Sequence, residues 1–235
     1  MAFILEFCFR IKTPLNQSPK CKVMKRIVIL FLMLISTYIV MSQNRLDSLL
    51  VEYYSLSENS KDSNQYKASF FQVFPDNFQL FNSTYGYKEI NEDSTYYSPL
   101  YSVSSEHIDR FYSTIDVVDK TDFYKKIINI SQNSYWAADA VNYFQYKLQE
   151  LFLNNTEDFL KILEGYSDIE IKTFWHFFFD GIIVDHPDNI SMYGKVYRKV
   201  NELHYNHILT LLREQFQYDL HEYILSPWAK EIENQ

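Results

Sequence analysis

Glycine is scarce in this chain: 4 residues in 235, alongside 6 prolines. So little turn punctuation argues against a many-turned β-sandwich and favours long helices. It also leaves little from which to build a phosphate-cradling loop. No P-loop and no G-x-G-x-x-G occurs, and G-x-S-x-G and H-E-x-x-H are missing too. Cysteine is nearly absent. Both residues, Cys8 and Cys21, precede Met24, so the chain beyond them offers no disulfide, no thiolate metal site and no cysteine nucleophile. Basic residues are few. Six of the 22 Lys and Arg but only one of the 30 Asp and Glu precede Asn44, which leaves a net of about −13 for the rest. No three basic residues adjoin, so a nucleic-acid partner is not expected. An acidic surface suits solubility and steering toward a basic protein.

What the chain has in quantity is rings: 20 Tyr and 19 Phe. Apolar residues make up 47% and charged residues 22%, a globular balance rather than a disordered one. Most Phe fall at helical spacing, so the rings are read as a packed core whose Tyr hydroxyls reach the surface.

The N-terminal region reads as an export signal. Lys25 and Arg26 form a positive start, and Ile27 to Met41 is an apolar or weakly polar run. It is shorter than the roughly 20 residues a bilayer-spanning helix needs. Cleavage is expected near Ser42 and Gln43. The expected organisation is therefore residues 1–23 as an upstream extension before a start at Met24, residues 24–43 as the signal, and residues 44–235 as a single domain. No cysteine follows the apolar run to carry a lipid, and no stable membrane span remains after cleavage. An exported domain without disulfides fits a bacterial periplasm or secreted fraction.

Beyond the signal, apolar spacing is helical almost throughout. Leu46 to Leu56 marks a first helix, and Tyr66, Phe70 and Phe74 a second, stopped by Pro75. Phe78, Phe81 and Tyr85 follow, with Asp76 as cap and Gly86 as stop. Lys88 to Val103 is irregular, a long loop with room for one short strand. Asp119 is placed to cap a helix bearing Phe123, Ile127 and Ile130. Ala137 to Phe152 is strongly amphipathic, with Asp139, Asn142, Gln145 and Gln149 on its wet side. Phe159 to Leu163 marks a short helix ending at Gly165. Ser167 and Glu170 form a capping box. Asp188 to Tyr223 is one long helix or two joined near His204–Asn206, and Pro227 ends the pattern. The expectation is an all-α, compact bundle of about eight helices.

Two places could carry chemistry. His176 and Asp180 stand at i, i+4 in TFWHFFFDGIIVDHPDN, and Asp185 and His186 follow after a turn. Four possible ligands in eleven residues suggest a metal or hydrolytic site. Against it, Phe174, Trp175, Phe177, Phe178 and Phe179 surround the helix, so a buried His176 satisfied by Asp180 is the simpler reading. The second place is the Tyr-rich segment Tyr85–Tyr101, where exposed Tyr96 and Tyr97 would meet a partner. His204 and His207 share a helix without a third ligand, and Asp109, Asp116, Asp119 and Asp122 scatter over a solvated face.

Three segments carry a resemblance: FFQVFPDNFQLFNSTYGY (Phe70–Tyr87), YWAADAVNYFQYKLQELF (Tyr135–Phe152) and SDIEIKTFWHFFFDG (Ser167–Gly181). They resemble a group of small exported proteins of Bacteroidota with no known activity. This chain keeps the group's F-F-x-x-F-P-x-x-F…Y-G-Y and A-D-A-[VI]-N-Y-F-Q patterns. It departs from F-F-F-D-G-P-H-P, since Gly181 is followed by Ile-Ile-Val-Asp before His186-Pro187. The resemblance implies export and a helical fold, and assigns no residue a role. Together these readings expect a non-enzymatic, exported protein that binds another protein, with an immunity-type role against a toxin as one version. A metal-binding protein or hydrolase at residues 176–186 and a glycan-binding module are the alternatives. No cofactor and no metal is implied.

Overall fold

Side chains, more than glycine, set the ends of these helices. A computed structural model describes residues 63–91, 94–137, 139–181 and 186–225, all within one compact unit. In chain order come α1 (Ser63–Val73), α2 (Phe78–Tyr85), β1 (Tyr87–Asn91), β2 (Ser94–Tyr97), α3 (Ser104–Ser113), α4 (Lys120–Ser131), α5 (Ala140–Asn154), α6 (Thr156–Leu163), α7 (Asp168–Phe179), α8 (Pro187–Glu202) and α9 (Asn206–Leu225). Among the described residues the fold is thus all-α, with nine helices and one small hairpin. None of the helices is long and apolar enough to cross a membrane. The helix expected at Leu46–Leu56, the signal segment and the stop at Pro227 lie outside the described residues.

Asp119 caps α4, accepting the amides of Thr121 at 2.8 Å and Asp122 at 3.1 Å. At α7 the Ser167 amide and hydroxyl both donate to the Glu170 carboxylate, at 2.8 and 2.6 Å, within the expected capping box. The cap of α2 is Asn77, which accepts the Leu80 amide at 2.9 Å, rather than Asp76. Gly86 follows as the C-cap, at a position where a Cβ would sit 2.6 Å from the Asn82 carbonyl oxygen. The segment read as a loop with one strand pairs instead as two. Tyr87 stands opposite Tyr97 and Lys88 opposite Tyr96, and the Ser98 amide donates to the Gly86 carbonyl at 2.9 Å, which anchors the hairpin at the end of α2. The C-terminal run divides into two helices. The break is at Leu203–Tyr205, where His204 takes a left-handed backbone with φ 63°.

The buried rings form one connected network, and Tyr87, Tyr97 and Tyr101 form a separate cluster at the hairpin. Phe111 is fully buried and stacks on Phe74 at 4.1 Å and on Phe123 at 5.0 Å between centroids. Tyr124 reaches Phe159 at 4.5 Å, Phe159 and Trp175 both lie 5.4 Å from Phe152, and Phe179 meets Phe216 at 5.2 Å. Offset and edge-on ring pairs add about 1 kcal/mol each beyond the area they bury. The central helix α7 packs against α4, α5 and α9, with Phe174, Trp175, Phe177, Phe178 and Phe179 all buried.

One buried cation holds α1 in place. Lys126 on α4 is 8% exposed and donates to the carbonyls of Phe71 at 2.6 Å and Phe74 at 3.0 Å. These are carbonyls at the C-terminal end of α1, where a helix lacks internal donors and favours positive charge. Asp76 lies 2.7 Å from the same ammonium, but its side chain is 68% exposed. Burial lowers the Lys126 pKa, and Asp76 opposes that shift. The cap should therefore outweigh the ion pair. Lys126→Ala is expected to cost about 2–4 kcal/mol, since it strands two buried carbonyls. Asp76→Ala should cost about 1 kcal/mol or less. Equilibrium urea unfolding of both variants checks the ranking, which equal losses would contradict.

Candidate functional site

The C-terminus of α7 ends beside a cleft, and α5 is what finishes it. The Gln145 amide donates to the carbonyls of Phe177 at 2.6 Å and Asp180 at 3.1 Å, and Gln149 donates to Phe178 at 2.8 Å. Gln145 is 3% exposed, which corrects its expected place on the wet side of α5. Spacing alone put it there; the open carbonyls of α7 draw it inward. Asp180 caps the helix and points back to the chain before α5, where its carboxylate accepts the Trp136 amide at 2.6 Å.

His176 pairs differently from expectation. Its Nδ1 lies 3.0 Å from Asp219 on α9, while its Nε2 is 3.8 Å from Asp180, beyond hydrogen-bond length. Asp219 is 8% exposed and also accepts the Gln215 amide at 2.9 Å. The imidazole thus bridges α7 and α9 with a second carboxylate nearby. Asp219 raises the His176 pKa, against the opposing pull of desolvation. Burial raises the Asp180 pKa, while His176 and the Trp136 amide draw it down. Asp219 was missed because its link to His176 spans 43 positions, outside any local pattern.

The cleft has a volume of about 1000 Å³. Among the residues that line it are Tyr101, Trp136, Tyr146, Asp139, Asp180 and Asp188. His186 also lines it, as the N-cap of α8, accepting the Asp188 amide at 3.3 Å. The cleft therefore brings Asp180 and His186 to one hollow, while the partly exposed His176 is not part of its lining, and Asp185 lies outside the described residues. Among the described residues no three His, Asp or Glu converge as a metal site would require. Asp139 stands at the rim with φ 59°, an uncommon backbone for a residue other than glycine. The Tyr101 hydroxyl donates to it, and this carboxylate pushes the Tyr101 phenol up to about 12. Tyr143 donates to Asp109 at 2.8 Å, which also holds Lys147 at 2.8 Å.

Tyr96 and Tyr97 are both more than half exposed, as expected. The Tyr97 ring lies 4.6 Å from Tyr101, so the hairpin carries an aromatic surface to the edge of the cleft. Comparison with protein-family models, with curated proteins and with solved structures gives no match.

The bridging imidazole makes stability depend on pH with a definite sign. Folding raises the His176 pKa. Its contribution is thus complete below the unfolded value of about 6.5 and is lost as pH rises through the folded value. Asp180, also raised, acts in the same direction but in the acid range. The melting temperature should fall from mildly acidic to mildly alkaline buffer, and His176→Gln should flatten that slope. Thermal melts at several pH values test this; parallel slopes for the two proteins would refute it.

Proposed function

We propose that this chain is an exported helical protein whose work is to bind another protein. The observation that carries this reading is the tyrosine face running from Tyr96 and Tyr97 on the hairpin, past Tyr101, into the cleft at Tyr143 and Tyr146. Tyr side chains give large, stiff, amphipathic contact area with little rotamer entropy to lose. Flanking Ser and Asn supply adaptable hydrogen bonds. Protein-recognition surfaces favour this mixture. The scaffold beneath is rigid, because the cleft wall is tied to α7 through Asp180 and Gln145.

The signal-like segment at residues 24–43 and the resemblance to exported Bacteroidota proteins support export. An immunity-type role, in which the face blocks an antibacterial toxin, is the concrete version favoured by the acidic balance.

Two measurements test the reading. Mass spectrometry of protein recovered from the envelope should find a mature N-terminus at Gln43 or Asn44. A partner retained by the immobilised protein should be identified, purified and shown to bind in defined stoichiometry. The double variant Tyr96→Ala/Tyr97→Ala should weaken that complex at least tenfold without lowering the melting temperature. A reconstituted complex indifferent to these tyrosines would remove the proposed face, and failure to reconstitute any complex would remove the reading.

A further inference from the structure

We propose that the cleft receives a cationic side chain, Lys or Arg, presented by the partner. This deepens the protein-binding reading and rests on it. The first observation is the composition of the walls. The described lining residues include three aspartates, Asp139, Asp180 and Asp188, and no Lys or Arg; the one basic side chain among them is His186, 3.5 Å from Asp188. Two of the aspartates already hold neutral donors, Asp139 the Tyr101 hydroxyl and Asp180 the Trp136 amide. Asp180 has the charge of His176 no nearer than 3.8 Å, and its side chain is only 17% exposed. A carboxylate drawn this far from water gains from a further cation.

The second observation is that the molecule pairs a cation with a ring and a carboxylate elsewhere. Lys126 sits 4.5 Å from the Phe71 ring centre and 2.7 Å from Asp76. Lys147 sits 5.4 Å from the Tyr143 ring centre and 2.8 Å from Asp109. Cations are held by ring faces and carboxylates together. The cleft repeats that chemistry with Trp136, Tyr101 and Tyr146 beside its carboxylates, and no lysine or arginine of the described lining fills it. The carboxylates do not converge on one point. That spread suits a charged, hydrogen-bonding head on a flexible stem rather than a bare metal ion.

The overall charge points the same way. The chain after Asn44 carries about −13, which would speed encounter with a basic partner and make binding sensitive to salt.

The test uses short capped peptides, identical except for a central Lys, Arg, Gln or Glu, titrated into the purified protein. Binding is followed by NMR at the Trp136 amide and indole N–H. The Lys or Arg peptide should shift these signals saturably, and the Gln and Glu peptides at least tenfold more weakly. Asp188→Asn, at a side chain 95% exposed, should leave folding intact and weaken the cationic peptide several-fold, as should added salt. Asp139→Asn, which keeps the size and shape of the side chain and removes its charge, should do the same. Equal binding of the Gln peptide would overturn the proposal. So would a neutral oligosaccharide shifting these signals in place of the cationic peptides, or no shift with millimolar cationic peptide. A reconstituted partner complex indifferent to Asp188→Asn and Asp139→Asn would overturn the cation proposal alone and leave the protein-binding reading standing.

Discussion

A helix that ends inside a protein must find donors for its last carbonyls, and this requirement organises the molecule. The central helix is so aromatic that five of its last six residues are buried. It cannot run out into water to satisfy its C-terminus. Gln145 and Gln149 supply the donors from the neighbouring helix, and Asp180 turns the chain by taking the Trp136 amide. These bonds fix the core helix, the helix Ala140–Asn154 and the approach to it in one relation. The cleft is the outer side of that junction. Its walls are the polar groups left over once the aromatic helix has been closed.

Core and surface divide the aromatic residues between them by chemistry. Phenylalanine fills the interior, where nothing need be satisfied but contact. Tyr85 and Tyr124 are buried there too, but most of the described tyrosines occupy the boundary, and the hydroxyls of Tyr101, Tyr112 and Tyr143 reach a carboxylate, a backbone carbonyl and a second carboxylate. The phenols of Tyr101 and Tyr143 cannot swing freely, so that part of the face is set before any partner arrives. A prearranged face loses less entropy on binding than a mobile one.

Much of this fold was legible in the sequence, for a reason visible in particular residues. Phe123, Ile127 and Ile130 recur at helical spacing, Asp119 stands where a cap is needed, and Ser167 with Glu170 marks the start of the central helix. These are local signals, and local signals survive in a sequence string. Gln145 read as solvent-facing because the carbonyls it serves belong to another helix. Asp219 carried no mark of its role because His176 lies 43 positions away. The hairpin escaped because paired tyrosines resemble a polar loop until their register is known. The stretch around His176 and Asp180 drew attention as a site for the density of its ligand-type residues. Folding gives them different partners, Asp219 for His176 and the Trp136 amide for Asp180, while the two side chains stay 3.8 Å apart.

None of the four glycines takes a left-handed backbone; Asn133, Asp139 and His204 do so instead. Gly86 apart, the punctuation of this chain is thus spelled largely in exchangeable letters. Asn, Asp, Ser and Thr substitute for one another at caps with small losses, whereas a glycine required for its backbone does not. An architecture bounded in this way can hold its shape while its sequence drifts, and lineages carrying it would diverge in spelling well before they diverge in form.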